Sequence, residues 1–429
     1  MRTHILKTIT DLEIFKNQLL NWSQQFREVV FLDSNNHKNQ YSDYDFALAV
    51  DAFTSIKTDY HNAFEDLKQY QQITQDWLFG YLSYDLKNNV EELKSKNFDG
   101  LDFPDLFFFQ PKKLFLFKEN QLEIQYLNMC DDEIEADFHE ITNAFVDYKF
   151  HESHDLEIKQ RISAAEYSKK VSKVLEHILR GDIYEANFCM EFYAENAVIN
   201  PLAIYQKLNT ITQTPFATFF KNNNDYSLCA SPERYLRKRE NNIISQPIKG
   251  TAPRFKDLML DEKSKLDLEF NEKERSENIM ISDLVRNDLS KTAEKGSVKV
   301  EELCKIYSFL QVHQMITTIS SDLKSDFSAI DVLKTTFPMG SMTGAPKISA
   351  MQIIEDLEET KRGLYSGAIG YFTPTGDFDF NVVIRSILYN KKNKYLSFSV
   401  GSAITSRSEI AAEYDECLLK AKAMIQVLK

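Results

Sequence analysis

The chain has 429 residues, with 51 Lys and Arg against 64 Asp and Glu and a formal net charge of −13. With 43% hydrophobic and 27% charged residues it has ordinary globular composition, and a chain of this size buries roughly 75% of its unfolded surface in one large mixed domain or up to about three domains. Disorder, collagen-like repeats and small disulfide scaffolds are excluded, and the acidic balance opposes nucleic acid or an anionic membrane as a partner.

The N-terminus, Met1-Arg-Thr-His-Ile-Leu-Lys7, runs straight into an amphipathic segment without the apolar region of a signal peptide. A helical pattern covers Leu12 to Phe26; β-rich segments follow from Trp77 to Tyr84 and in a hairpin from Leu114 to Tyr126 that turns at Glu119-Asn120. The densest apolar stretches, Leu106 to Phe109 and Leu114 to Phe117, fall far short of the roughly 20 residues a membrane span needs. Residues 131–160 are polar and acidic, include His151 and His154, and read as the connection between an N-terminal subdomain, 1–150, and a second unit, 151–429. Ser163-Ala-Ala-Glu166 is a capping box opening a helix whose apolar residues Tyr167, Val171, Val174, Leu175 and Ile178 stop before Gly181. Strands are expected at Ala217 to Phe220, Tyr226 to Cys229, Ile243 to Gln246, Ala368 to Phe372, Phe380 to Leu388 and Tyr395 to Val400. Short connections at Thr375-Gly376 and Lys391-Lys392-Asn393 imply antiparallel pairing, so the class is α+β with large antiparallel sheets and packed helices. The five cysteines are scattered without a C-x-x-C pair, as in a reduced, cytoplasmic protein.

Four segments carry residues suited to chemistry. Lys249, in Gln246-Pro-Ile-Lys-Gly-Thr-Ala-Pro-Arg254, sits on a strand end beside Gly250, where a ligand can approach the backbone; by residue type alone it is equally a solvated lysine at a loop tip. Asn271 and Glu274 make a helix start, and Glu277, in line with Ile281 and Leu284, heads the apolar face, where a carboxylate needs a cation or the helix dipole. Glu413, Glu416 and Lys420 share a helix face, either as an ordinary Glu–Lys pair or as a second carboxylate source for Mg²⁺. Phe337-Pro-Met-Gly-Ser-Met-Thr-Gly-Ala-Pro-Lys347 lacks the Gly-Lys-[Ser/Thr] of a phosphate loop and is left as a turn whose hydroxyls and N–H groups suit a carboxylate. His313 defaults to a structural histidine.

Taken in order, Gly181-Asp-Ile-Tyr-Glu-Ala-Asn-Phe188, Ser231-Pro-Glu233, Pro247-Ile-Lys-Gly-Thr251, Glu277-Asn-Ile-Met-Ile-Ser-Asp-Leu-Val-Arg-Asn-Asp-Leu289, Gly344-Ala-Pro-Lys347, Gly367-Ala-Ile-Gly-Tyr371 and Glu413-Tyr-x-Glu-x-x-x-Lys420 resemble the chorismate-utilising enzymes. These include anthranilate synthase component I, aminodeoxychorismate synthase component I, and isochorismate and salicylate synthases. The resemblance implies two large antiparallel β-sheets sandwiched and surrounded by helices. Lys249, where anthranilate synthases usually carry Ala, resembles the aminodeoxychorismate synthase form. That form implies amination of chorismate at C4 through a covalent lysine adduct, with a Lys249 pKa well below the reference of about 10.4.

By the same resemblance Glu233 is the general acid, and Glu277 and Glu416 bind Mg²⁺, with Glu274 and Glu413 reaching its waters. Lys420 and the backbone of Gly401, Ser402 and Ala403 would hold the ring carboxylate, Arg385 and Tyr365 the enolpyruvyl carboxylate, and Gly250, Thr251, His313 and Ser341 the ring. Glu185 stands where amine-using relatives often carry Gln and water-using relatives Lys, while Ala403 and Arg407 depart from the usual Gly and Asp. Ser34, with Pro215, Phe216 and Ala217, marks a possible amino-acid pocket. No cysteine lies in a Gly-x-Cys-x-Gly elbow, so ammonia is expected from solution or from a separate glutamine amidotransferase subunit. Two other readings stay open: anthranilate synthase component I, and a non-catalytic subunit that binds chorismate or an amino acid.

Overall fold

A computed structural model describes residues 1–37, 40–144, 156–310 and 312–429. The expected boundary at 150/151 and both His151 and His154 lie outside the described residues. Local sequence signals act as predicted where they are strong. The helix Ala164–Arg180 is opened by both bonds of the Ser163–Glu166 capping box and closed by Gly181 at φ 85°, a left-handed turn that glycine adopts without strain. The hairpin joins Leu106–Lys118 to Gln121–Leu127 with Lys118 opposite Gln121.

Among the described residues, twenty strands form one hydrogen-bonded network with antiparallel strand pairs, accompanied by eleven α-helices. The two expected sheets are two arms of this network, joined by the long strand Leu106–Lys118. Its C-terminal half pairs with Gln121–Leu127 and its N-terminal half with Leu78–Leu82. The change of partner falls around Pro111, which has no N–H to give to a ladder, and the register with Phe46–Thr58 shifts between Ala52 and Thr54. One arm runs through Glu28–Asp33, Phe216–Asn222, Asp225–Ser231, Ser386–Asn390 and Tyr395–Thr405 to Glu185–Ala194. The other runs through Ala368–Phe372, Phe378–Val382, Arg234–Arg239 and Asn242–Gln246 to Val312–Asp322, which also pairs with Ile248–Pro253 and Lys299–Ser308. Strands from before residue 144 therefore enter both arms.

The inner faces meet through aromatic side chains, with Tyr81 against Phe220 at 5.2 Å between ring centroids. The helices Ala164–Arg180 and Ile410–Leu428 cover the first arm through Tyr167, Val171, Cys417 and Met424, and Glu272–Ser290 covers the second through Ile281, Val285 and Leu289. Burial of this apolar surface is the main force holding helices to sheets. No helix among the described residues is long and apolar enough to cross a membrane.

Arg2–Thr8, ahead of the expected helix and not assigned from sequence, is a strand paired with Gln121–Leu127. One expectation needs correction. The single strand expected from Phe380 to Leu388 is two strands, Phe378–Val382 and Ser386–Asn390. The chain breaks between them at Arg385, whose φ is 52°, a value that takes a non-glycine residue out of any ladder.

Candidate active site

Lys249 lies on Ile248–Pro253, whose register with Val312–Asp322 shifts between Ile248 and Thr251. This bulge re-aims Lys249, and it is built with Gly250 at φ +93°, where a side chain would be strained. The lysine does not point into solvent: its Nζ donates to Glu185 Oε1 at 2.8 Å, with side-chain exposures of 10% and 1%. Glu185 starts the strand Glu185–Ala194, paired with Thr405 on one side and Ala345 on the other. Gly344 allows that second pairing, since a Cβ there would lie 2.2 Å from the Glu185 carbonyl oxygen.

The expectation of a depressed Lys249 pKa is overturned. Burial pushes the ammonium down, but the charge and hydrogen bond of Glu185, with Glu277 and Glu233 behind them, outweigh it and raise the pKa above its ordinary value.

Glu233, in the turn between Asp225–Ser231 and Arg234–Arg239, is buried and anchored by its N–H donating to Ser231 Oγ at 3.2 Å. Burial raises its carboxyl to about 7 despite lowering by Ser341, Lys249 and Lys420. Glu233 and Ser341 line one cavity of about 20 Å³.

The helix Glu272–Ser290 is capped by Asn271, which accepts from Glu274 N at 3.0 Å, and it carries Glu274 and Glu277 toward Lys249. A Cβ on Gly250 would meet Glu274 Oε2 at 3.2 Å, so the glycine leaves room for that carboxylate. Glu277 is buried, its Oε1 has no hydrogen-bond partner among the described residues, and burial with Glu274 and Glu185 nearby raises it to about 7. Glu274 is raised by burial and by Glu416. On Ile410–Leu428, Glu413 is buried, whereas Glu416 pairs with Lys420 at 2.6 Å, and Lys420 donates to Gly401 O at 2.7 Å.

Lys273, which sequence reasoning missed, holds Glu413 at 3.2 Å and Glu277 at 3.9 Å. The i,i+4 spacing of Lys273 and Glu277 was the available signal. Among the described residues no three His, Cys, Asp or Glu converge closely enough to hold a metal ion as they stand. The donor set nevertheless fits a hard divalent cation: carboxylates from two helices repel one another, and the buried Glu277 Oε1 has no hydrogen bond among the described residues, only the distant Lys273 ammonium at 3.9 Å.

This electrostatic cost carries a prediction. A carboxyl raised from 4.5 to about 7 contributes stability below pH 4.5 that is lost as pH rises through 7, on the order of 3 kcal/mol by linkage. Glu277→Gln, neutral throughout, is expected to raise the melting temperature at pH 8 in chelator and to leave it unchanged at pH 4, as thermal scans at both pH values would show.

The Arg385 carbonyl accepts from Ala230 N–H at 3.2 Å, but its guanidinium has no hydrogen-bond or ion-pair partner among the described residues; burial pushes its pKa down, and it sits in the field of Tyr365 and Glu416. Tyr365 is buried, its hydroxyl accepting from Cys189 Sγ at 3.8 Å. Gly401 is required by close approach, since a Cβ would stand 2.6 Å from Cys189 Sγ. Ser402 Oγ turns to Tyr167 OH, 3.1 Å away, so that residue offers the site its backbone only. Ala403 lies opposite Asn187, its carbonyl accepting from Ser408 Oγ, and Arg407 is exposed. Thr251 is exposed. His313 is committed elsewhere, Nδ1 to Ser308 Oγ at 2.8 Å and Nε2 to Asp261 at 3.2 Å. Lys347 is structural: its Nζ donates to Asp288, to Thr336 O at 3.0 Å and to Pro338 O at 2.9 Å, which fixes the turn carrying Ser341. Ser34, Pro215, Phe216 and Ala217 line a separate cavity of about 60 Å³, away from Lys249.

A family profile described as chorismate binding enzyme matches residues 23–426. The chain is 41% identical over 270 residues to a probable chloroplastic aminodeoxychorismate synthase of Oryza sativa, covering 62% of this chain but only 30% of that protein. It is 30% identical to aminodeoxychorismate synthase component 1 of Bacillus subtilis, covering 88% and 80% of the two chains. It is 33% identical to anthranilate synthase component 1 of Saccharolobus solfataricus, covering 81% and 79%. The crystal structure of anthranilate synthase component I from Streptococcus pneumoniae superposes with a TM-score of 0.79 at 24% identity, covering 91% and 94%, which shows the shared fold.

Proposed function

The chain belongs to the chorismate binding enzymes, and on that premise we propose that it converts chorismate and ammonia to 4-amino-4-deoxychorismate, as an aminodeoxychorismate synthase component I. The observation that carries this is Lys249, a primary amine on a bulged strand with its side chain 10% exposed, paired with Glu185 and in the field of Glu277 and Glu233. By the resemblance, anthranilate synthases usually carry Ala at that point.

Lys249, in its neutral form, adds through its amine at C2 of chorismate; both ring double bonds shift, and the C4–O bond breaks with its electron pair on oxygen. Glu233 donates the proton that lets this oxygen leave as water, and its pKa of about 7 keeps much of it protonated near neutrality. Ammonia then adds at C4, the double bonds shift back, and the C2–N bond breaks to return the amine of Lys249. Glu233 takes a proton from the new C4 ammonium and is restored. Mg²⁺ held by Glu277 and Glu416, with Glu274 and Glu413 reaching its waters, would neutralise the ring carboxylate.

Lys420, which donates to Gly401 O, and the Gly401–Ala403 backbone would border that carboxylate; Arg385, with Tyr365 beside it, suits the enolpyruvyl carboxylate because its guanidinium is unclaimed among the described residues. Replacing Arg385 by Met is expected to raise KM for chorismate about 10- to 100-fold with kcat nearly unchanged, which steady-state kinetics would read directly. A glutamine amidotransferase partner supplies the ammonia in this reading. Five free, buried cysteines support a reducing, cytoplasmic setting.

The test is to incubate the chain with chorismate, Mg²⁺ and an ammonium salt at pH 8 and identify the product by chromatography and mass. Aminodeoxychorismate without pyruvate is expected; anthranilate with pyruvate overturns the assignment.

A further inference from the structure

One stretch of the strand Glu185–Ala194 is closed by side chains and not by another strand. Its edge pairs Glu185 and Ala186 with Ala345 and Gly344, and the Asn187 N–H donates to Thr343 O at 2.8 Å. Beyond Thr343 the neighbouring segment bends away into the short turn Gly340–Met342, which carries Ser341. The edge is taken up again where Arg161 N–H donates to Glu191 O at 2.9 Å. Arg362 and Glu358, both buried, fill the gap between. Arg362 Nη2 donates to Asn187 O at 2.7 Å, and Glu358 Oε1 accepts from Cys189 N–H at 2.9 Å. The two side chains are locked to each other, Nε to Glu358 Oε2 at 2.9 Å and Nη2 to Oε1 at 2.6 Å, while Nη1 donates to Met342 O at 2.6 Å.

A strand running on past Thr343 would close this edge with backbone alone, but it would keep residue 341 in the ladder. The bend instead brings Ser341 to the cavity that Glu233 also lines, where its hydroxyl favours the carboxylate form of that residue. The bend leaves Met342 O and Asn187 O to be satisfied together, and the planar fork of one guanidinium reaches both, as a single ammonium does not. We propose that Arg362, held by Glu358, is a positioning residue that sets the Ser341 turn against Glu233 and so orients the acid of the reaction. Lys347 fixes the other end of the same segment at Thr336 O and Pro338 O, so Ser341 is held between two buried cations. The inference rests on the reading of Glu233 as the acid and deepens it, and it applies to chorismate consumption whatever the product.

The test is a kinetic cycle of Arg362→Lys, Ser341→Ala and the double variant, followed as chorismate consumed with Mg²⁺ and an ammonium salt, on chains whose folding is checked by thermal melting. Lysine keeps a charge opposite Glu358 but presents one nitrogen, so Met342 O and Asn187 O cannot both be held. Arg362→Lys is expected to lower kcat about 10- to 100-fold with KM for chorismate within about threefold, since an orienting group displaced by ~1 Å suffices for that loss. Ser341→Ala should lower kcat at least as far, and the double variant should match Ser341→Ala, because a turn without its hydroxyl has nothing left to misplace. Losses that multiply in the double variant, a Ser341→Ala milder than Arg362→Lys, or a wild-type kcat for Arg362→Lys each overturn the role and leave the pair as packing. Should Arg362→Lys fail to fold, Arg362→Met/Glu358→Gln, which strands no buried charge, takes its place in the cycle with the same outcomes. Product identity is read in the same assays. Anthranilate in place of aminodeoxychorismate overturns the amination reading while the cycle still decides the role of Arg362, and a wild-type chain that consumes no chorismate overturns both.

Discussion

Replacing Lys249 by Ala is expected to abolish formation of aminodeoxychorismate, lowering kcat by about 10³-fold or more, because the substitution removes the atom that bonds to C2 and nothing else in the site can take its place. Chorismate affinity, measured calorimetrically with Mg²⁺, should change only a few-fold, since in the proposed reading Arg385 and the Lys420 region hold the carboxylates of the substrate. The same substitution has a structural cost that must be separated from the chemical one. Glu185 would lose the ion-pair partner it has at 2.8 Å among the described residues while remaining fully buried, and stranding one member of a buried pair costs about 3–5 kcal/mol. The double variant Lys249→Ala/Glu185→Gln removes that stranded charge. Its melting temperature should recover toward wild type while its activity stays lost, a non-additivity that identifies the pair. Full aminodeoxychorismate formation by Lys249→Ala would sink the covalent route.

The parts of this molecule legible in the sequence are those set by short-range rules. The helix from 164 to 180 carries its start and stop in its own residues, and the hairpin at Glu119-Asn120 is bounded by its turn. By resemblance, ordered motifs assign Lys249, Glu233, Glu277 and Glu416 to one site, and in the structure all three carboxylates lie within the electrostatic reach of Lys249. Spacing along the chain could not show that Glu185 and Lys249, 64 positions apart, form one ion pair, and so the direction of the Lys249 shift was misjudged: desolvation was foreseen, the opposing charge was not. Lys273 was overlooked for a similar reason. Its partner Glu413 comes from another helix, 140 positions away. Arg2–Thr8 reads as amphipathic in isolation and becomes a strand only because Gln121–Leu127 offers it an edge. The break at Arg385 was hidden by short apolar runs nearby, Val382 to Ile384 before it and Ile387 to Tyr389 after it; a positive φ in a non-glycine residue leaves no mark in hydropathy.

Glu233 offers the sharpest separation of chemistry from stability, because Glu233→Gln is expected to move them in opposite directions. An amide cannot protonate the leaving hydroxyl, so kcat should fall by about 10²- to 10⁴-fold with little change in chorismate binding. In the wild-type enzyme kcat/KM for adduct formation should decline as pH rises through about 7, where burial has placed the ionisation of the free enzyme's acid. The residual activity of the Gln variant should lose that decline. For stability the sign is the reverse. A carboxyl raised from 4.5 to about 7 favours the fold below pH 4.5 and progressively loses that contribution as pH rises through 7. At pH 8 the wild-type chain therefore bears the cost of a buried carboxylate, on the order of 3 kcal/mol. Glu233→Gln escapes that cost, so its melting temperature at pH 8 should exceed that of wild type and the difference should vanish at pH 4. A buried carboxylate kept for structure would show the other pattern, in which its loss lowers stability and activity together. A more stable, inactive Glu233→Gln is therefore the signature of an acid held protonated for catalysis at the expense of the fold.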